Sequence, residues 1–345
     1  MVAFFVERCG ARVESIAPAD APRDVTVRVG DSTICLRRGE VDEPVSLIVR
    51  DASVEHVAVV TAPNGLTVEF RPETPTIEIP PSVPTLSVVR AGDEFGVGRA
   101  GMGYRDLLAD RWGGRFIASH ILIRDGGPVP DYVHFHRIRF QLIFCARGWV
   151  DVVYEDQGDP FRLHAGDCVL QPPEIRHRVL RSSPGMEVIE IGCPAVHDTF
   201  VEHEITLPTR EIRPGRSFSG QRFVRHVAAD ALRTPWLVDG LRVRDTGIGL
   251  ATDGLGAAVV VEADGAAPAG ERPAVDTLTH HGEFVLSVVL SGAADLSLGD
   301  GVALRLMARE SVAFPPGTRW AWSGWTGDFE MLQVTLPDAA VVRAQ

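Results

Sequence analysis

The same series of short apolar strands, glycines and proline pairs occurs twice in this chain of 345 residues. Residues 115–195 run through RFIASHILIR, RFQLIFCARG, WVDVVYED, FRLHAGDCVLQPP, HRVLRS and GMEVIEIG. Residues 257–336 repeat the order with AAVVVEADG, FVLSVVLSG, ADLSLGDG, VALRLMARESVAFPP, RWAWSG and FEMLQVTLP. Many short strands separated by turn residues indicate a β-sandwich or barrel, and two copies predict two barrels in tandem.

The spacing of the landmarks supports this repeat. One apolar strand ends at Gly148 and its counterpart ends at Gly292. A proline pair at 172–173 begins 24 residues after the first glycine, and the pair at 315–316 begins 23 residues after the second. An acidic residue precedes each pair at a similar distance. We therefore expect both copies to form the same kind of barrel.

The chain divides into three predicted segments. Residues 1–90 contain short runs with apolar residues at every second position, which predicts an N-terminal β-rich segment. The stretch PETPTIEIPPSVPT at 72–85 has five prolines and is the predicted linker. The two barrels are predicted at 100–200 and 245–340, and YRDLLADRW at 104–112 is the best helix candidate. The predicted fold class is all-β, with tandem antiparallel β-barrels and an extra N-terminal β segment.

Composition and charge exclude several classes of function. All 34 basic residues are arginine, so catalysts that need a lysine amine are excluded, and the absence of lysine indicates a GC-rich bacterial source. The net charge of −12 argues against a nucleic-acid partner. No apolar stretch reaches the roughly 20 residues of a bilayer span, and the start MVAFFVERCGARVE is too short and charged for a signal peptide. The five cysteines show no C-x-x-C spacing, so we expect reduced thiols in the cytoplasm.

Two histidines stand one residue apart in DYVHFHRIRFQLIFCARGW at 131–149. Successive side chains of a β-strand point to opposite faces, so His134 and His136 would point the same way. Four residues separate this pair from Gln141, and GDCVLQPPEIRH later ends at His177. Neutral imidazoles suit zinc, iron, copper and nickel, and three or four side-chain ligands leave a position open for water or substrate.

This arrangement resembles the two motifs of the cupin superfamily, G-x5-H-x-H-x3-4-E-x6-G and G-x5-P-x-G-x2-H. Gly127 supplies the leading glycine with one extra residue before the first histidine, Gly148 ends the first motif, and Gly166 begins the second. The two motifs cover about 65 residues, and the internal repeat extends the resemblance to most of 115–336. The resemblance implies a bicupin in which the first barrel holds one divalent metal ion through His134, His136, Gln141 and His177.

The sequence departs from the cupin pattern at two places. Gln141 occupies the position where cupins usually carry glutamate, and PPEIRH replaces P-x-G-x-x-H. If Gln141 binds the ion, three imidazoles and an amide leave its double positive charge uncompensated, which favours an anionic substrate. Alternatively, Gln141 does not touch the ion and the centre has three histidines. Both alternatives stay open at this point.

The second copy lacks most of these ligands. With the two copies aligned on Gly292, the four positions hold Leu278, His280, Val285 and Trp320. One histidine survives, so we expect no metal in this barrel. A role in packing or in forming a homodimer is the simpler expectation.

Three further residues are candidates for a pocket near the metal. Cys145 shares the strand face of Gln141, although a free cysteine is more often a small buried residue. His120 shares a strand face with apolar residues and is either a pocket or a core residue. Arg139 flanks the ligand strand and would suit a carboxylate by bidentate pairing, although an arginine on the solvated exterior is the alternative.

The resemblance implies three classes of function. Bicupins of this length with one metal site are similar to gentisate-type, diketone-cleaving and quercetin dioxygenases, which implies Fe(II) and a small anionic substrate. A three-histidine, one-glutamine set is similar to certain zinc polyketide cyclases, which implies a non-redox isomerase, cyclase or lyase acting on an enolisable carbonyl, with Zn, Mn, Ni or Cu as the other candidate metals. The third class is a cupin that binds a small molecule without turnover.

Overall fold

The computed structural model describes residues 1–345 apart from 18–23, 38–45, 52, 53, 55, 73–76, 93, 99, 100, 198, 266–276, 300 and 345. The chain divides into two compact units, Met1–Thr76 and Ile77–Gln345. The boundary lies inside the proline-rich stretch at 72–85. Among the helices of the described residues, none has the length and apolar character that a bilayer crossing requires.

The first unit has one helix and six strands within its described residues. They are α1 (Val2–Cys9), β1 (Arg12–Ala17), β2 (Asp24–Val29), β3 (Ser32–Arg37), β4 (Ser46–Asp51), β5 (Ala58–Thr61) and β6 (Thr67–Pro72). One antiparallel sheet has the order β1-β2-β3, and in the other β6 pairs with β4 in parallel and with β5 in antiparallel. Phe5 of the helix packs in one core with Val27 and Val68. The β-rich pattern of residues 1–90 did not predict this helix.

The second unit begins with a strand of the second barrel and then builds the first barrel. Its elements up to residue 201 are β7 (Ser87–Val89), β8 (Gly96–Val97), β9 (Gly103–Asp106), α2 (Arg111–Gly114), β10 (Ile117–Ile123), β11 (Gly127–Pro128), β12 (His134–His136), β13 (Phe140–Arg147), β14 (Trp149–Tyr154), β15 (Phe161–His164), β16 (Cys168–Leu170), β17 (His177–Ser182), β18 (Met186–Cys193) and β19 (Thr199–Val201).

A connecting segment and the second barrel follow. Their elements are β20 (Ser217–Phe218), β21 (Gln221–Arg222), β22 (Val224–His226), a short 3-10 helix (Ala228–Asp230), β23 (Thr234–Pro235), β24 (Leu241–Asp245), α3 (Ile248–Ala251), β25 (Ala257–Ala263), β26 (Leu278–His280), β27 (Phe284–Ser291), β28 (Ala293–Leu298), β29 (Ala303–Met307), β30 (Ser311–Ala313), β31 (Arg319–Ser323), β32 (Glu330–Leu336) and β33 (Val341–Arg343).

Each barrel consists of two antiparallel sheets. In the first barrel their orders are β22-β16-β13-β18-β10-β9-β8 and β15-β14-β17-β12-β19, with β11 added beside β17. In the second barrel they are β23-β24-β25-β32-β27-β30-β7 and β29-β28-β31-β26-β33. The prediction of an all-β fold with tandem antiparallel barrels is confirmed. Strand β7, which lies inside the predicted 1–90 segment, pairs with β30 of the second barrel.

The repeated landmarks have the same structural roles in both barrels. Gly148 and Gly292 both take positive φ angles, 73° and 64°, where the chain turns between two strands. The Asp167 carboxylate accepts a hydrogen bond from the backbone N–H three residues earlier at 2.9 Å. Glu310 accepts the equivalent bond in the second barrel at 3.0 Å. The acidic residue therefore closes the same turn in each copy.

The largest apolar cluster lies between the two barrels. Strand β13 alternates, so Phe140, Leu142 and Phe144 face this cluster while the residues between them face the first barrel's interior. Phe116 of the first barrel stacks on Phe284 of the second, with ring centroids 4.1 Å apart. Burying one such ring stabilises the fold by about 2–3 kcal/mol.

The predicted helix at 104–112 is wrong. Gly103–Asp106 is strand β9, and Arg111–Gly114 forms a single tight turn in which Arg111 and Trp112 have positive φ angles of 48° and 47°. Leu108 and Trp112 are fully buried, and Trp112 Nε1 donates to a backbone carbonyl oxygen at 3.0 Å. The spacing of these apolar residues reflects burial in the cluster between the barrels, which overrides their helix propensity.

Candidate metal centre

Strands β12 and β17 bring three buried imidazoles together inside the first barrel. His134 and His136 lie on the same face of β12, and His177 pairs with His134 in the strand register. One ring nitrogen of each histidine lies within 4.8 Å of one nitrogen of each of the others. Their residues are 0%, 9% and 5% exposed. The three histidines therefore form a buried group that can hold a metal ion.

Hydrogen bonds on the outer nitrogens orient these rings. His134 Nδ1 and His177 Nδ1 each lie within hydrogen-bond distance of the carbonyl oxygen two residues earlier, at 2.8 and 2.9 Å. A carbonyl oxygen only accepts, so these Nδ1 atoms carry the proton and Nε2 keeps its lone pair. His136 Nδ1 lies 3.1 Å from the Thr199 hydroxyl. Such contacts fix the tautomer and the ring plane of a metal-binding histidine.

A hydrogen-bonded chain of four polar side chains lies beside the histidines. The Tyr154 hydroxyl donates to Gln171 Oε1 at 2.8 Å. Gln171 Nε2 donates to Gln141 Oε1 at 3.2 Å and lies 3.1 Å from His177 Nε2. Gln141 Nε2 in turn donates to Glu190 Oε1 at 2.6 Å. Because a carboxylate only accepts, Glu190 sets the orientation of both amides.

Tyr154 begins this chain as a hydrogen-bond donor. Its side chain is almost fully buried, with 2% of the residue exposed. Burial, and after it the negative charge of Glu190, raises the pKa of the Tyr154 hydroxyl far above its usual range. The hydroxyl therefore keeps its proton, and each bond in the chain points toward Glu190.

These side chains line a cavity of about 340 Å³. Most of its wall is apolar and comes from both sheets of the barrel, including Met102, Ile121, Ile143, Val150, Val152, Val179, Met186 and Val188. Among its described lining residues, the side chains that carry a full charge are Glu190 and the exposed Arg178. A cavity of this size and character suits one small organic molecule.

Gln141 lies in the cavity wall, with both ends of its amide engaged. Its nitrogen donates to Glu190 and its oxygen accepts from Gln171. This arrangement favours the alternative in which three histidines hold the ion and Gln141 does not touch it. Its role as a ligand stays a prediction.

The second departure from the cupin pattern keeps the glycine-like backbone. Glu174 occupies the glycine position of the second motif and takes a φ of 62°, a region that favours glycine. The equivalent Gly317 of the second barrel has a φ of 80°. The Glu174 carboxylate accepts a hydrogen bond from Arg137 at 2.9 Å. The turn before His177 therefore has the same backbone shape as the equivalent turn before Trp320 in the second barrel.

His120 does not line the metal cavity. It lines a separate cavity of about 210 Å³ formed by residues of both barrels. Its Nε2 lies 2.8 Å from the Glu187 carboxylate, and its Nδ1 lies 3.0 Å from Arg105 Nη2. The hydrogen bond from His120 holds the pKa of Glu187 below its usual range. His120 is therefore a buried, hydrogen-bonded residue at the junction of the barrels.

The structure also places Arg139 and Cys145 outside the cavity lining. Arg139 Nη1 donates to both oxygens of Glu283 at 2.9 and 3.1 Å, which links the two barrels. The side chain of Cys145 points toward the first barrel's interior but is fully buried among apolar residues. Burial, with a smaller effect of a nearby aspartate, raises the pKa of its thiol to about 12. Cys145 is therefore a buried, protonated thiol.

Apolar side chains fill the equivalent position in the second barrel. Leu278 pairs with Trp320 in the register where His134 pairs with His177. Trp320 stacks on Phe314 with ring centroids 4.1 Å apart. Among the described residues, His134, His136 and His177 are the one group of three or more histidine, cysteine or acidic side chains close enough to share an ion.

The remaining second-barrel histidine is part of this packing. His280 Nε2 lies 2.6 Å from the carbonyl oxygen of Phe314, so this nitrogen donates its proton. Burial lowers the pKa of His280, which keeps the ring neutral. The lone pair that would bind a metal is therefore on the other nitrogen.

The polar residues of the cavity that were not predicted from the sequence include Tyr154, Gln171, Glu190 and His197. Glu190 carried one usable signal, because it shares a strand face with Val188 within the apolar run GMEVIEIG. An acidic residue on the inward face of a core strand indicates a partner or a function. His197 has no motif spacing, and its ring centroid lies 5.3 Å from that of His136.

No protein-family model matches the chain. No curated protein sequence matches it either. Solved structures share the fold. Protein Ylba from E. coli is 11% identical with a TM-score of 0.51, and the match covers 73% of this chain and 90% of that one. The oxalate decarboxylase of Lactobacillus farciminis is 14% identical with a TM-score of 0.54, covering 77% and 90%.

A third similar structure is the salicylate 1,2-dioxygenase of Pseudaminobacter salicylatoxidans, at 16% identity with a TM-score of 0.53, covering 74% of this chain and 86% of that one. At these identities the likeness shows the fold alone. Together with the tandem barrels and the histidine group, it shows that this chain has the cupin fold in its two-barrel, bicupin form.

Proposed function

We propose that this chain is a metal-dependent bicupin enzyme that acts on a small organic anion in the first barrel. The observation that supports this proposal is the group of His134, His136 and His177, buried at the wall of a largely apolar cavity. Three neutral imidazoles are ligands of iron, zinc, copper and nickel, and they leave coordination positions open. His134 and His177 each have the Nδ1 contact that leaves the lone pair on Nε2. The Gln171 amide lies 3.1 Å from His177 Nε2, so it would release this nitrogen when an ion binds.

The residues around the histidines prepare the cavity for a substrate. When bound, a divalent ion supplies Lewis acidity to an oxygen atom of the substrate and, if it is Fe(II), the capacity to activate dioxygen. The apolar walls exclude water, which strengthens electrostatic interactions inside the cavity. Gln171 and Gln141 hold the Glu190 carboxylate in one orientation. The substrate would therefore bind between the histidines and a fixed acceptor.

The first candidate reaction is dioxygenation with Fe(II). The two-barrel architecture with one histidine site supports it, and a dioxygenase that acts on salicylate is among the proteins with the same fold. In this reaction the chain's own residues position an aromatic or enolic acid and exclude water from the cavity. The apolar lining suits such a ring.

The second candidate is a non-redox reaction at an enolisable carbonyl, with Zn or Mn as the Lewis acid. The observation that favours it is the Glu190 carboxylate inside the cavity, which can accept a proton from a substrate carbon. The electron pair of that C–H bond would move to the carbonyl oxygen. The Gln141 amide would then hold the protonated carboxyl group in place.

Elemental analysis and oxygen consumption test these candidates. Protein purified without added metal should contain about one transition-metal ion per chain. The iron-loaded protein should consume dioxygen with small aromatic acids or diketones, while the zinc-loaded protein should not. Turnover of a carbonyl substrate without oxygen by the zinc-loaded protein would instead favour the second candidate. Metal and ligand binding without turnover in either form would indicate a binding protein, and absence of metal would overturn the proposal.

A further inference from the structure

We infer that Glu190 determines the substrate class of this cavity: a monoanion that also carries a hydrogen-bond donor, such as a hydroxy acid, and not a dianion. The inference rests on the proposed function, because it assumes a divalent ion at the histidines. It extends that function to the choice between similar organic acids.

Glu190 reaches the cavity because β18 alternates between two environments. Val188 and Glu190 face the interior of the first barrel, while Ile189 and Ile191 face the apolar cluster between the barrels. A one-residue shift of this strand would bury the carboxylate among phenylalanine and leucine side chains. The position of Glu190 is therefore fixed by the barrel fold.

The hydrogen-bonded chain leaves Glu190 as its final acceptor. Tyr154 donates to Gln171, Gln171 donates to Gln141, and Gln141 donates to Glu190 Oε1. Among the described residues, this is the one hydrogen bond or ion pair that the Glu190 carboxylate makes. Its second oxygen, Oε2, can therefore accept a bond from a molecule in the cavity, and a hydroxyl group of the substrate would satisfy it.

The charges in the cavity favour one negative charge on the substrate. Three neutral imidazoles leave the double positive charge of a divalent ion intact, and two carboxylates of the chain offset it: Glu190 in the cavity wall and the buried Asp131, whose Oδ1 lies 3.6 Å from His134 Nδ1. One carboxylate on the substrate would bind the ion directly and add a single negative charge. A second carboxylate would lie beside Glu190 in a largely apolar cavity, where like charges repel strongly.

Arg178 does not remove this preference. Within the described part of the cavity lining it is the other residue with a full charge, and its side chain is exposed to solvent. Water screens a charge in that position, whereas Glu190 is held inside by Gln141. A substrate carboxylate that reached Arg178 would point outward, away from the histidines.

Binding of three matched ring acids to the zinc-loaded full chain tests the inference without turnover. Salicylate carries one carboxylate and a hydroxyl, benzoate lacks the hydroxyl, and phthalate has a second carboxylate in its place. We expect calorimetry to show that salicylate binds at least tenfold more tightly than benzoate. Phthalate should bind at least tenfold more weakly than benzoate. In Glu190→Gln the ratio of phthalate affinity to benzoate affinity should rise at least tenfold. The ratio of salicylate affinity to benzoate affinity should fall.

The control variant is Asp159→Asn, which removes the same charge from an exposed loop of the first barrel. It should leave all three affinities unchanged. Phthalate binding as tightly as benzoate in the parent protein, equal ratios in parent and Glu190→Gln, or retained zinc with none of the three acids bound would each overturn the inference. Zinc content is measured in every sample, so a parent chain that binds no zinc identifies a failure of the proposed function itself.

Discussion

Gln141 Nε2 donates a hydrogen bond to Glu190 Oε1 at 2.6 Å, so the residue at the usual glutamate position of the cupin motif is itself paired with a glutamate. The two residues lie on the adjacent strands β13 and β18, two register positions apart, since Gln141 pairs with Gly192 and Glu190 pairs with Ile143. An amide can bridge a carboxylate on one side and a second amide on the other. A carboxylate at position 141 would face Glu190 with an acceptor only.

Gln141→Glu should therefore destabilise the first barrel. Two carboxylates at hydrogen-bond distance in an apolar cavity must either repel or share a proton, and we expect a loss of about 1–3 kcal/mol in the free energy of unfolding. Metal affinity should not increase. Metal affinity and urea unfolding are measured side by side on the same preparation. Tighter metal binding with unchanged stability would contradict this expectation and identify Gln141 as a ligand.

The double variant Gln141→Glu, Glu190→Gln serves as the matched control. It restores one carboxylate paired with one amide, with the two exchanged between strands. Most of the lost stability should return, because the repulsion is gone. Failure to recover would indicate that the single variant acts through packing and not through charge.

The purified protein should lose its one bound metal ion per chain when two histidines of the first barrel are replaced. His134→Ala, His177→Ala removes two of the three imidazoles and should lower the metal content to below a tenth of an equivalent. His164→Ala changes an exposed histidine of the same barrel and should keep the full equivalent. Mass spectrometry of the native protein would contradict the assignment if it found two ions per chain, as would full metal content in the double variant.

The second barrel should respond to mutation as a packed core. Trp320 is 1% exposed and stacks on Phe314, so Trp320→Ala should lower the free energy of unfolding by about 3–5 kcal/mol. Trp320→Phe should cost much less, because the ring is kept and a buried indole N–H without a hydrogen-bond partner among the described residues is removed. Neither change should alter the metal content. A metal loss in either variant would show that this barrel contributes to the site.

Acid should weaken the contact between the two barrels. Burial opposes ionisation of Glu283, but the hydrogen bonds from Arg139 and Arg115 outweigh it, so the pKa of Glu283 lies below its usual range. A carboxyl whose pKa is lower in the folded state contributes stability above the unfolded pKa of about 4.3 and loses it as the pH falls through the folded value.

We therefore expect Glu283→Gln to be less stable than the parent chain at pH 7 and equally stable near pH 2–3. The measurement is the urea midpoint across this range. Asp295→Asn, which breaks an exposed pair with Arg305, is the control and should change little at either pH. A constant difference between Glu283→Gln and the parent at all pH values would contradict the role of this charge.

The histidine group could be predicted because local geometry determines it. His134 and His136 share a face in any regular strand, and the glycine and proline landmarks fix the turn before His177. The same spacing identified Leu278 and Trp320 as the replacements in the second barrel, which the strand register confirms. Strand periodicity and turn chemistry act over a few residues, so one sequence carries them.

The partners of polar side chains could not be predicted in this way. Arg139 is two residues from Gln141 in sequence, yet its guanidinium pairs with Glu283 of the other barrel. His120 lies on a regular strand, yet its partners are Arg105 and Glu187 outside the metal cavity. The alternation of side chains along a strand predicts the side to which a residue points, but it does not predict which residues of other strands lie on that side.

The sequence by itself determined the two barrels, the barrel that holds three histidines and the loss of that site in the other. Only the tertiary structure decided the wall of the cavity. Glu190 and Gln171 lie 49 and 30 residues from Gln141 in the chain and meet it through strand pairing. These contacts depend on long-range register and on charge inside an apolar cavity, and neither has a signature in the spacing of residues.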